Sequence, residues 1–246
     1  MRLAILTGGS RGLGLSLAEK LQTRGYHLIE FSRSAPHAWS VNADLADPAA
    51  FAETVGKRLA AVDLAGIEEL LVISNAGTLE ATGLAGSQAW SAVEQNLAIN
   101  MLSGVAFLNQ IVARFSALNC PKTIVSISSG AAVRGIAGWT LYCAAKAGME
   151  GFVRAVGVEQ TLQAHPFTAI TIDPGVMDTG MQEFIRARPT EEFPDVQRFR
   201  QRQQDGELAS AGHIADAVLH IAGLPDLAQG ARFVAREYLA VSQIPA

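Results

Sequence analysis

The chain has 246 residues, of which 49% are apolar and 17% charged, and its formal net charge is −4. That composition supports a sizeable core, excludes a disordered or surface-coating protein, and argues against a nucleic-acid partner. Cys120 and Cys143 give no disulfide framework, the five histidines do not pair at metal-ligand spacings, and no apolar run has signal-peptide or membrane-span length. We therefore expect a soluble protein of a reducing cytoplasm, without a metal and off the membrane.

In chain order, residues 2–7 form an apolar run that reads as a first strand, opening into Gly8-Gly-Ser-Arg-Gly-Leu-Gly14 and then the amphipathic Leu15-Ser-Leu-Ala-Glu-Lys-Leu-Gln. Glycine lets backbone turn tightly against a phosphate, and the start of the following helix offers unpaired N–H groups and a positive dipole end. A pyrophosphate is expected at Gly8, Ser10, Arg11, Gly12, Leu13 and Gly14. Further strand-like runs follow at 27–32, 39–43, 69–74, 122–128, 168–173 and 231–235, with helical patterns between them. Such alternation predicts one domain over 1–246: α/β, with a doubly wound, mostly or wholly parallel seven-stranded sheet and helices on both faces. Ligands of such sheets lie outside the carboxyl ends of the strands. The glycine turn, Asn75-Ala-Gly77, Ser129 and Pro174-Gly175 all fall at such ends.

Tyr142 and Lys146 are four residues apart, so a helix brings phenol and ammonium to one face, where the cation favours the phenolate. Ser129 lies thirteen residues before Tyr142, at the end of the fifth apolar run. A proton donor, a cation to tune it and a hydroxyl to polarise a carbonyl are what reduction by hydride requires. Ser128 is the rival serine, because neighbours on a strand face opposite ways.

Together these motifs resemble the short-chain dehydrogenase/reductase family over nearly the whole chain, which implies a Rossmann fold. The resemblance implies a catalytic tetrad of Asn100, Ser129, Tyr142 and Lys146, with Asn100 holding a relay water and Lys146 also bonding the nicotinamide ribose. It further implies a cofactor site that adds to the glycine turn Asp44 and Leu45 on the adenine side, then Asn75, Ala76 and Gly77, with Pro174, Gly175, Val176 and Thr179 at the nicotinamide. The thirteen-residue spacing seen in the family favours Ser129 over Ser128. Gly138-Trp-Thr-Leu-Tyr-Cys143 and Pro174-Gly-Val-Met-Asp-Thr-Gly-Met-Gln182 are most similar to sepiapterin reductases and bacterial benzil reductases.

In this family an acid after the second strand selects NAD, and here that position is Ser32, followed by Arg33, with Glu30 two residues too early. Arg11 and Arg33 are expected to clamp a 2′-phosphate, so the cofactor is read as NADP(H). Substrate contacts are expected at Ser129 and Trp139, and at Met177, Met181, Phe184 and Phe199 on a flap at 177–208. Arg198, Arg200 and Arg202 read as a solvated face, with an anion site as the alternative, and His213 and His220 as structural helix residues. Val234 stands where sepiapterin reductases carry the aspartate that fixes the pterin. The reading is therefore a reductase of a hydrophobic ketone or vicinal diketone; pterin reduction and a non-catalytic NADP-binding sensor are the alternatives. Family members commonly form dimers or tetramers through the helices containing 97–118 and 142–162, so a homo-oligomer is expected.

Overall fold

Apolar side chains that alternate toward two covered faces produce the strands. Along β1 (Arg2–Thr7), Leu3 and Ile5 enter one core while Ala4 and Leu6 enter the other. A computed structural model describes residues 1–239. After β1 come α1 (Gly12–Thr23), β2 (His27–Ser32), β3 (Ser40–Asn42), α2 (Pro48–Ala60), β4 (Glu69–Ser74) and α3 (Trp90–Leu97). A π-helical turn, Ala98–Leu102, leads into α4 (Ser103–Phe115), followed by β5 (Lys122–Ile127), α5 (Thr140–Gln160), β6 (Thr168–Asp173), α6 (Gly180–Arg186), α7 (Val196–Gln204), α8 (Ala211–Ala222) and β7 (Arg232–Val234).

The seven strands pair in the order β3-β2-β1-β4-β5-β6-β7, every pair parallel, as expected. β1, β2, β4 and β6 match the predicted bounds. The edge strands β3 and β7 are shorter than predicted, because an edge strand has a ladder partner on one side only. β5 stops before Ser128, since the chain turns at Ser129 into a short 3₁₀ segment, Gly130–Ala132.

One core lies between the sheet and α2, α4 and α5, where Phe31 packs edge-on against Phe51 and Phe107 at 6.2 and 6.1 Å. The other lies under α1 and α8, built on Leu17, Leu21, Ile214 and Val218. Truncating one of these buried phenylalanines to alanine costs about 3–5 kcal/mol. The helical run Trp90–Phe115 is long and apolar enough to cross a membrane, yet it serves as a core helix: Phe107, Leu108, Ile111 and Phe115 are buried against the sheet. α8 contains His213 and His220, the latter 6.2 Å from the Tyr238 ring.

The chain leaves β1 toward β2 and β3 on one side and returns at β4 on the other. The switch point, and with it the expected cleft, lies where β1 and β4 meet.

Candidate active site

Backbone packing explains the glycines after β1. Gly8 has φ +74°, and a Cβ there would lie 2.9 Å from the Ala76 Cα; one on Gly14 would lie 2.0 Å from the Gly8 carbonyl oxygen. Thr7 Oγ1 accepts the N–H groups of Asn75 and Ala76 at 3.0 and 3.2 Å, while Asn75 Nδ2 donates to the Thr7 and Gly8 carbonyls, both at 3.1 Å. The loops after β1 and β4 are thus fastened together at the switch point. α2 and α8 are capped by Asp47 and Ser210, but α1, entered through Ser10 and Arg11, has no side-chain cap. Its first N–H groups, from Gly12, Leu13 and Gly14 onward, remain available to an anion. A Cβ on Gly12 would sit 3.6 Å from Thr179 Cγ2, so the loop after β6 shares this cleft. The uncapped helix start and the collapsed glycine turn fit the pyrophosphate of a dinucleotide.

Ser32, at the end of β2, is turned inward. Its hydroxyl donates to Glu30 Oε2 at 3.1 Å and accepts the Ala35 N–H, and Glu30, fully buried, also takes the Gly9 N–H at 2.7 Å. Its one proton faces Glu30, which leaves Ser32 no donor for a cofactor phosphate. Arg11 and Arg33 are exposed, and neither guanidinium has a hydrogen-bond or ion-pair partner among the described residues. Asp44 accepts the Ala46 N–H at 3.0 Å, and the carbonyl of buried Leu45 accepts Ser103 Oγ at 2.8 Å.

Helix α5 carries Tyr142 and Lys146 one turn apart, with Nζ 5.7 Å from the centre of the phenol ring. Both are buried. Burial pushes the phenol up to about 12; the Ser129 hydroxyl, within hydrogen-bonding reach, pulls it down, and the charges of Asp173 and Cys143 add to the rise. Burial brings the Lys146 ammonium down to about 8 against the opposing pull of Asp173 and then Glu150, and Nζ donates to the Ile127 carbonyl at 2.8 Å. Ser129 Oγ caps the 3₁₀ turn by accepting the Ala131 N–H at 3.2 Å. Asn100, in the π-helical turn, clasps the backbone of Thr78 with both ends of its amide, at 2.9 and 3.0 Å, and donates to Asn96 Oδ1. A Cβ on Gly77 would lie 3.1 Å from Asn100 Oδ1 and 3.9 Å from Lys146 Nζ, which places these residues around one point.

Ser128 faces away and donates to Glu150 Oε1. Arg232, from β7, donates through Nε to the same carboxylate at 2.9 Å and through Nη2 to Asp173 Oδ2 at 2.7 Å. Asp173 Oδ1 accepts the N–H of Gly175, which has φ +73°. Val176 follows, its carbonyl accepting the Ala209 N–H at 3.4 Å.

The flap contributes a third apolar cluster beside the phenol. Trp139 stacks on Phe193 with ring centres 4.8 Å apart, touches Phe199 at 5.4 Å and meets Tyr142 at 5.6 Å. Ile185 and Val196 from the flap and Leu79 and Ala131 from the domain are buried in the same cluster. A Cβ on Gly138 would fall 2.4 Å from the Glu192 carbonyl oxygen, so the flap rests directly on the chain leading into α5. Phe184 packs at the margin with Arg188 over its ring, Met177 joins the α1/α8 core, and Met181 is exposed. Arg200 donates to the carbonyls of Arg186 and Arg188, which ties α7 to α6.

The family model for short chain dehydrogenase matches residues 2–190. The chain belongs to the short-chain dehydrogenases. It is 31% identical over 226 residues to an (S)-benzoin-forming benzil reductase of Bacillus subtilis, covering 90% of this chain and 93% of that one. It is 30% identical over 247 residues to the sepiapterin reductase of Rattus norvegicus, covering 89% and 90%. A short chain dehydrogenase/reductase of Saccharomyces cerevisiae shares the fold at a TM-score of 0.82 and 21% identity, with 100% of both chains covered. Like its family, this short-chain dehydrogenase is an oxidoreductase that uses a nicotinamide cofactor.

In this short-chain dehydrogenase Gly8, Gly12, Gly14, Asn75, Gly77, Asn100, Ser129, Tyr142 and Lys146 gather at one end of the sheet. Ser32 and Met177 point into the protein interior. Glu150, Asp173 and Arg232 take part in the site although no motif points to them, and Glu30, too early to be the ribose acid, supports the glycine turn through the Gly9 N–H. The spacing of four from Lys146 to Glu150 was available as a signal; nothing in the sequence joins Arg232 to Glu150, 82 residues away.

Proposed function

We propose that this short-chain dehydrogenase is an NADP(H)-dependent reductase of bulky hydrophobic ketones, with aromatic vicinal diketones of the benzil type as its best substrates. The observation that carries the substrate reading is the cluster of Trp139, Phe193 and Phe199 packed against the Tyr142 phenol. An aryl ketone that parts these rings replaces ring-to-ring contacts with contacts of the same kind, each aromatic pair contributing about 0.5–1.5 kcal/mol. Trp139 Nε1 is buried without a hydrogen-bond partner among the described residues, a free donor suited to the second carbonyl of a diketone. The similarity to a benzil reductase along 93% of its length supports the same reading.

The glycine turn would hold the pyrophosphate of the dinucleotide, and Lys146 with residues 174–179 its nicotinamide end, which would supply the hydride. Tyr142 gives its proton to the carbonyl oxygen as charge develops there, since a phenol raised to about 12 is fully protonated at neutral pH. Ser129 donates a second hydrogen bond to that oxygen and orients it. Lys146 lowers the barrier to leaving a phenolate behind. Asn100 fixes Thr78 and so the floor of the cleft. The unpaired guanidiniums of Arg11 and Arg33 hold the 2′-phosphate that distinguishes NADP from NAD, each charge-assisted bond contributing about 1.5–3 kcal/mol. We also take the protein to be cytoplasmic and a homo-oligomer, with exposed Val158 and Leu162 of α5 and its C-terminal end in the contact.

A panel of benzil, sepiapterin and simple ketones, followed by oxidation of NADPH and of NADH, tests this reading. Benzil with NADPH is expected to give the highest kcat/KM; a higher value for sepiapterin, or equal values for the two cofactors, overturns it.

A further inference from the structure

We propose that Arg232 is a positioning residue for the reaction: its guanidinium joins the serine end of β5, helix α5 and the loop after β6 into one unit, and thereby sets Ser129 and Tyr142 against the nicotinamide side of the cleft. This inference rests on the roles given above to Tyr142 and Ser129.

The geometry allows Arg232 little else. Its Nε and Nη2 are directed at two different carboxylates on two different elements, and Nη2 also lies 3.5 Å from the Ser129 carbonyl oxygen. Each carboxylate passes the constraint onward. Glu150, 3% exposed in its side chain, holds the Ser128 hydroxyl, whose backbone neighbour is Ser129. Asp173 holds the Gly175 N–H and so fixes a left-handed turn one residue before Val176. A planar guanidinium bonds two carboxylates at a fixed angle, which a lysine ammonium cannot do. A shift of one ångström among reacting groups is enough to lower a rate about 100-fold.

Charge adds a second role. Asp173 faces both Tyr142 and Lys146, and Glu150 faces Lys146; the phenol is also met by Cys143, the Ser129 hydroxyl, the Lys146 ammonium at 5.7 Å from its ring centre and the uncharged Trp139 ring. Arg154 touches Glu150 only at 3.7 Å and from the solvent side. Arg232 is thus the one buried-side cation other than Lys146 that faces the two carboxylates among the described residues. Without it their negative charge acts on Tyr142 and Lys146 undiminished, and both groups hold their protons to higher pH.

The test uses Arg232→Gln and Arg232→Lys in the full chain, with benzil or whichever carbonyl the panel shows to be turned over. For Arg232→Gln, kcat is expected to fall about 10- to 100-fold with KM for the carbonyl changed less than about threefold. The alkaline limb of its pH profile should move upward, and the Gly175 amide should exchange faster in the cofactor-free protein. Arg232→Lys should restore the pH limb but not the full kcat. Unchanged kcat, pH limb and exchange in a folded Arg232→Gln protein overturn the proposal. If that variant does not fold, Asp173→Asn decides: it keeps an oxygen for the Gly175 N–H and is expected to lower kcat while moving the limb downward, and wild-type behaviour refutes the proposal. Tyr142→Phe separates the two layers: an active Tyr142→Phe enzyme means the assignment of the acid is wrong, whereas an inactive one beside unaffected Arg232 variants defeats this inference alone.

Discussion

Replacing Lys146 by methionine should make the cofactor-free protein more stable at neutral pH while destroying its activity. The ammonium is buried, and its fall from 10.5 to about 8 corresponds to about 3 kcal/mol of destabilisation carried by the folded state at neutral pH. Methionine fills much of the same volume without the charge. Against this stand the lost bond to the Ile127 carbonyl, about 1 kcal/mol, and the cation withdrawn from Asp173 and Glu150. A net gain of about 2 kcal/mol is expected, or about 4–8 °C in Tm for a chain of this size. The pH dependence supplies the sharper check. Because the folded value lies below the unfolded one, unfolding takes up a proton between about pH 8 and 10.5, and wild-type stability contributed by this group rises across that window. The advantage of Lys146→Met should therefore be complete below pH 8 and vanish toward 10.5. Denaturant melts of both proteins at pH 7, 9 and 10.5 measure it. A mutant less stable than wild type at pH 7, or a difference that does not change with pH, refutes the reasoning.

Tyr142→Phe should fold, bind NADPH and lose nearly all carbonyl reduction; turnover above about a tenth of wild type argues against its role as the acid. Ser129→Ala should reduce kcat about 100-fold, as loss of an oxyanion donor does. Ser128→Ala should act instead through stability, because its hydroxyl serves Glu150, and a chemical denaturation curve separates the two serines. Phe193→Leu should raise KM for benzil about three- to tenfold by removing the ring stacked on Trp139, with NADPH affinity unchanged in a fluorescence titration.

The parallel sheet was legible because its signal is local: aliphatic runs of six residues, punctuated by glycine, reappear as β1, β2, β4 and β6 at the predicted bounds. Tyr142 and Lys146 share a helix face for the same reason, since a spacing of four is local, whereas the strand period only sets Ser128 and Ser129 on opposite sides and the choice of Ser129 comes from the family's thirteen-residue spacing. Legibility fails where a side chain's direction depends on a distant partner. Nothing near Ser32 announces that its hydroxyl bonds Glu30, and nothing near Met177 says that it joins the α1/α8 core instead of the aromatic cluster. Phe193 shows the limit for the flap, where apolar residues among charges mark a covering segment but not which ring reaches Trp139.

The carboxylate of Glu30 beneath the glycine turn constrains how the cofactor preference of this enzyme can be altered, whether by selection or by design. The obvious route toward NADH is Ser32→Asp, which would offer an acid to the adenosine ribose. Here that acid would emerge beside Glu30, whose Oε2 is 3.1 Å from the present hydroxyl, and two carboxylates would compete for one buried space already occupied by the Gly9 N–H. One of them must then swing aside and pull the turn with it. The single substitution should lose NADPH affinity without gaining NADH, as equilibrium titration would register, whereas Ser32→Asp combined with Glu30→Gln keeps an acceptor for Gly9 and should bind NADH. The change is a two-step path through a poor intermediate, and an NADH-proficient Ser32→Asp single mutant would show that no such barrier exists.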